Sequence, residues 1–147
     1  MMNRSAKEVS LIKYLGSKRT LIPVLTQLIA SSGAQTAIDL FTGTTRVARA
    51  MKALGIETTA SDVASYSEVF AKTWIELDSS AVNLKQLEKA IDELNHLPGQ
   101  HGYFTENFCL QARYFQPENG ERVDAMRERI ETDYKGTWLY NPLLTSL

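Results

Sequence analysis

A single cysteine, Cys109, occurs in the 147 residues, so an internal disulfide is excluded. No grouping of cysteine and histidine has the spacing of a structural zinc site, and no metal is expected. A reducing, cytoplasmic setting follows. No run approaches the ~20 apolar residues that a bilayer-spanning helix needs, and no basic stretch leads into a long apolar one at the N-terminus. The chain reads as soluble and not exported. Repeats and low-complexity segments are missing as well, and the one hinge signal is Leu97-Pro98-Gly99, where proline and glycine interrupt a helical pattern.

The length suits one domain, and 44% hydrophobic residues suffice for a core. A formal net charge of -1 argues against a generally basic coat for nucleic acid, but the charge is uneven. Arg4, Lys7, Lys13, Lys18 and Arg19 face only Glu8 in the first twenty residues, whereas residues 76–93 hold more acid than base. The basic stretch is either a solvated tail or an edge that faces phosphate.

Two subregions are expected. Residues 1–78 read as alternating helix and strand. Ser17 or Thr20 is placed to cap a helix bearing Leu21, Val24, Leu25, Leu28 and Ile29, with Pro23 in its first turns and Ser32-Gly33 as its end. Residues 37–41 form a short, mostly apolar strand entering a turn at Thr42-Gly43. A helix striped by Val47, Ala48, Met51 and Leu54 stops at Gly55, and residues 56–60 supply a second strand ending at Asp62. Residues 79–147 read as a mostly helical segment. Tyr66, Val69, Phe70, Thr73 and Leu77 fit one helical face, Leu84, Leu87, Ile91 and Leu94 another, and Asn119-Gly120 is expected as a turn before a helix through Val123, Met126 and Ile130.

Asp39-Leu40-Phe41-Thr42-Gly43-Thr44-Thr45 is a strand breaking into a glycine turn where a helix starts. Ligands bind at the carboxyl ends of parallel strands, and glycine there lets the backbone approach them closely. The alternative is a turn with no ligand. Asp62 lies 19 positions after Gly43, near the ~20-residue gap at which an acidic residue holds a ribose. A helix N-cap is its structural alternative. Against the dinucleotide fingerprint, Gly43, Thr45 and Ala48 stand at the three glycine positions. Thr45 adds bulk and disfavours positive φ, which weighs against a pyrophosphate cofactor and a dehydrogenase.

With Lys13-Tyr14-Leu15-Gly16-Ser17-Lys18 ahead of the Asp39 to Gly43 turn, the chain resembles the Dam-like adenine-specific DNA methyltransferases. The likeness is specific over residues 11–77, although Thr45 replaces a glycine common in the family. It implies an α/β, partial Rossmann-like methyltransferase fold followed by the mostly helical segment, with S-adenosylmethionine as cofactor. It assigns Tyr14 and Lys18 to the pocket, Asp39, Phe41 and Gly43 to the methionine part, and Asp62 to the ribose. It also implies DNA as substrate, and the aromatic and arginine-bearing residues 102–129 are a candidate for DNA contact or a small core.

Such enzymes place an Asp/Asn-Pro-Pro-aromatic segment around the adenine amino group. No such segment occurs, and Asn141-Pro142 lacks the second proline and the aromatic, so no catalytic residue is assigned. With the stop at Leu147 in an apolar run, this predicts a truncated or split enzyme, with a complementing catalytic polypeptide or self-association as partners. A non-catalytic module that binds DNA or a partner is the alternative.

Overall fold

The computed structural model describes residues 18–147. Tyr14 and Ser17 lie outside them. A 3-10 turn, Lys18–Leu21, runs into helix α1 (Ile22–Ser31). Thr20 is not its cap: Leu21 holds that position and makes no side-chain bond to the helix. Pro23 eases the lack of one, because it sits where helical N–H groups have no partner and brings none itself. Gly33, at φ 67°, then turns the chain.

Strands β1 (Thr36–Asp39) and β2 (Glu57–Ala60) pair in parallel, with Thr36 opposite Glu57 and Asp39 opposite Ala60. Helix α2 (Arg46–Ala53) makes the crossover between them. Leu40 and Phe41, expected to belong to the first strand, leave it and are 58% and 77% exposed. The sheet has two strands among the described residues. The α/β character is therefore partial and helices dominate. Ala48 and Ile56 are buried in this half, whereas Ile38 is 54% exposed.

The stripe from Tyr66 to Leu77 is divided between helix α3 (Ser65–Ala71) and a π-helical turn, Lys72–Glu76. Lys52 of α2 closes that end. Its ammonium donates to the carbonyls of Trp74 at 3.4 Å, Ile75 at 2.6 Å and Leu77 at 3.2 Å, groups that a helix terminus leaves unpaired. Arg49, one turn earlier, lies 4.5 Å from the Trp74 ring centroid.

Helix α4 (Leu84–Asn95) begins where the Asn83 side chain accepts from the Gln86 N–H at 3.2 Å. It packs with helices α5 (Pro117–Arg129) and α6 (Tyr140–Ser146). Ala90, Leu94, Ile130, Leu139 and Leu143 form the main buried cluster. The turn expected at Asn119-Gly120 is absent. Pro117 starts α5, and Gly120 is buried inside it. The reason is packing, since a Cβ at Gly120 would stand 2.4 Å from the Cys109 Sγ in the π-helical segment Thr105–Gln111. Glycine here allows close approach of two helices. The halves of the chain also meet, because the Thr73 and Thr145 hydroxyls share a hydrogen bond of 2.8 Å.

Candidate cofactor-binding site

Parallel pairing brings the carboxyl ends of β1 and β2 side by side. Past Asp39 the strands stay linked: the Ser61 N–H donates to the Asp39 carbonyl at 2.8 Å, and the Thr42 N–H to the Ser61 carbonyl at 3.1 Å. The chain then turns through Gly43, at φ 51°, and Thr45, at φ 59°, before entering α2. The Thr45 N–H closes this turn on the Thr42 carbonyl at 2.8 Å.

Asp62 joins the two loops. One carboxylate oxygen accepts from the Gly43 N–H at 2.8 Å, and the other from the Ala64 N–H at 3.0 Å. Ala64 is the N-cap position of α3, which has no side-chain cap, so Asp62 binds the residue that precedes the helix and is not its N-cap. These N–H groups, Ala64 first and Gly43 second, hold the Asp62 carboxyl below the usual aspartate range. The Lys18 cation adds to the same effect. Asp62 is thus charged at neutral pH, and although the Val63 N–H also contributes, a carboxylate's roughly four acceptor sites are not all taken.

Asp39 is 8% exposed, and its Oδ2 is buried without a hydrogen-bond partner among the described residues. An unpaired buried carboxylate oxygen is costly, and a donor group at this point would remove the cost. Among the described residues, none besides its chain neighbours has an atom within 4 Å of where a Gly43 Cβ would stand. Phe41 is exposed beside this opening. Of the residues assigned from sequence, Gly43 and Asp62 are joined by a hydrogen bond, Lys18 acts on Asp62 through its charge, and Asp39 and Phe41 lie at and just past the carboxyl end of β1. Tyr14 lies outside the described residues.

Thr45 corrects the sequence argument. It does adopt positive φ, and its side chain is fully buried with an unpartnered hydroxyl. Turned inward, it does not cover the turn, so its bulk says nothing against a phosphate there. Asn141 and Pro142 lie in the first turn of α6, on a helix and not at the end of a strand. Among the described residues no group of histidine, cysteine, aspartate and glutamate could hold a metal ion. No helix among them is long and apolar enough to cross a membrane.

Sequence comparison gives the family. Residues 14–147 match the D12 class N6 adenine-specific DNA methyltransferases. The chain belongs to that family. The type II methyltransferase M.NlaIII of Neisseria lactamica is 30% identical over 135 residues, which cover 86% of this chain and 39% of that protein. The chain thus spans about two fifths of this relative's length. No solved structure matches significantly. An N6 adenine methyltransferase family implies S-adenosylmethionine as methyl donor and DNA as substrate.

Asp124 plays a part that its sequence position does not announce. Its carboxylate accepts from the N–H groups of Phe104 at 2.9 Å and Thr105 at 2.8 Å and from the Thr105 hydroxyl at 2.6 Å. Burial alone would raise its pKa, but the bonds from Thr105, Phe104 and Gly102 outweigh that and hold the group below the usual range. It fixes the start of the segment that carries Phe104 and Phe108, whose rings lie 5.0 Å apart. No local motif marks this role, because the partners stand 19 and 20 positions away.

Proposed function

We propose that this chain is the cofactor-binding portion of a site-specific DNA adenine methyltransferase of a restriction-modification system. Residues 1–78 form the partial Rossmann-like unit that holds S-adenosylmethionine, and residues 79–147 form the helical part that faces DNA. The observation that carries this reading is the Asp62 carboxylate held on the Gly43 N–H where the turns leave β1 and β2, with the buried Asp39 Oδ2 at the end of β1. The fit is chemical: the donor's ammonium and ribose hydroxyls are hydrogen-bond donors, and the crevice offers carboxylate oxygens.

When bound, the cofactor supplies an electrophilic methyl group on a cationic sulfonium. The chain's own residues bind and orient. Asp62 accepts from the ribose with the lone pairs that Gly43 and Ala64 leave free. Asp39 meets the ammonium end of the methionine part and Phe41 flanks it, the family resemblance adds Tyr14 to the pocket, and the Lys18 charge supports the ionised form of Asp62. Gly43 gives the backbone room to approach.

Activation of the adenine amino group requires acceptors and a stacking aromatic around an extruded base. We assign these to an Asp/Asn-Pro-Pro-aromatic segment outside residues 1–147, and we place the assembled enzyme in the cytoplasm with DNA. Thermal melting with S-adenosylmethionine, its demethylated product and NAD tests the reading. The first two should raise the melting temperature and NAD should not, since only ligands of the folded state stabilise it. Stabilisation by NAD alone would reject it. With labelled S-adenosylmethionine and adenine-containing duplexes, the chain alone should transfer no label, whereas a complete relative does.

A further inference from the structure

We propose that the groove between α3, α5 and α6 binds one nucleotide of a DNA strand, its base between two aromatic walls and its phosphate on Arg127. The groove has a volume of about 730 Å³. One wall is the Tyr66 and Phe70 pair of α3, edge to face at 6.1 Å. The other is Phe104 and Phe115, with ring centroids 5.3 Å apart. Tyr66 and Phe115 are 43% and 52% exposed, so both walls leave aromatic surface open. Planar bases stack on such surface with little regard to sequence.

The charge of the lining selects the ligand class. Lys72 is neutralised by Glu68 at 2.7 Å, whereas Arg127 pairs with no carboxylate among the described residues. The Arg127 charge reaches Glu131 only at longer range, so its guanidinium stays open to a close partner, which suits a phosphate and opposes the cationic methyl donor. The amides of Asn119 and Asn141, also in the lining, can donate to and accept from base edges. The acidic crevice and the cationic groove thus lie at opposite chemical extremes, and α3 contributes to both.

This inference rests on the reading that DNA is the substrate. Its test is fluorescence anisotropy of a labelled five-nucleotide oligothymidylate with the full chain. The oligonucleotide should bind, and saturating S-adenosylmethionine should not displace it. Phe115→Ala and, on the opposite wall, Tyr66→Leu should each weaken binding about tenfold. Arg127→Gln should lower the slope of log affinity against log salt by about 0.7, a change that Phe115→Ala should not make. A folding defect has no reason to move that slope in one variant alone. No binding by the unaltered chain, equal affinity in all three variants, or displacement by S-adenosylmethionine would each overturn the proposal. Donor affinity measured in parallel separates the two readings: loss of donor binding with groove binding intact rejects the cofactor assignment and keeps the groove.

Discussion

At Thr45 a β-branched residue holds φ 59° with its hydroxyl buried and unpartnered. Such a conformation stores about 1–3 kcal/mol, and an unmade buried hydrogen bond costs about as much. Thr45→Gly removes both terms and gives up a buried methyl, worth about 0.8 kcal/mol, together with glycine's extra backbone entropy, about 1 kcal/mol. The net expectation is stabilisation by about 1 kcal/mol, read as a melting temperature about 3 °C higher. A lower melting temperature would mean that the turn is not strained. Gly43 behaves in the opposite sense. Gly43→Val imposes about 1–2 kcal/mol of left-handed strain and fills the open side of the turn, so donor binding should vanish in calorimetry while the chain still melts cooperatively. Unaltered affinity would point to another pocket.

At the scale of elements, Asp124 ties α5 to the start of the aromatic segment and gives the fold a pH dependence. Its folded pKa is lowered, so its contribution is present above the unfolded value of about 3.9 and is lost as pH falls through the folded value. Asp124→Asn should cost about 1.5–3 kcal/mol at pH 7 in urea denaturation and flatten the loss of stability below pH 4. An unchanged acid limb would remove Asp124 from this account. The elements themselves were largely legible in the sequence. Apolar spacing located α1, α2, α4 and both strands within a few residues, and the glycine turn and the later acid, paired in the sequence reading, are hydrogen-bonded in the fold. Where the reading failed, tertiary packing decided. Gly120 looks like a turn until α5 is seen against Cys109, and the sign of φ at Thr45 is set by closure onto Thr42. The partners of Asp124 and the donations of Lys52 are distant in sequence and leave no local pattern.

For the whole molecule, the contrast lies between a helical half with its own buried cluster and a sheet half where Ile38, Leu40 and Phe41 stay exposed. Exposed apolar residues on a parallel sheet that has two strands among the described residues favour association. Light scattering should therefore show oligomers whose share grows with concentration, and a monomer at high concentration would contradict this. The central claim, that the crevice at the ends of β1 and β2 holds the methyl donor, is tested most directly by isothermal titration of S-adenosylmethionine into the chain and its Asp62→Ala variant. The account predicts saturable one-to-one binding by the unaltered chain and a loss of about one to two decades of affinity in the variant. Equal affinity in the two proteins would contradict it.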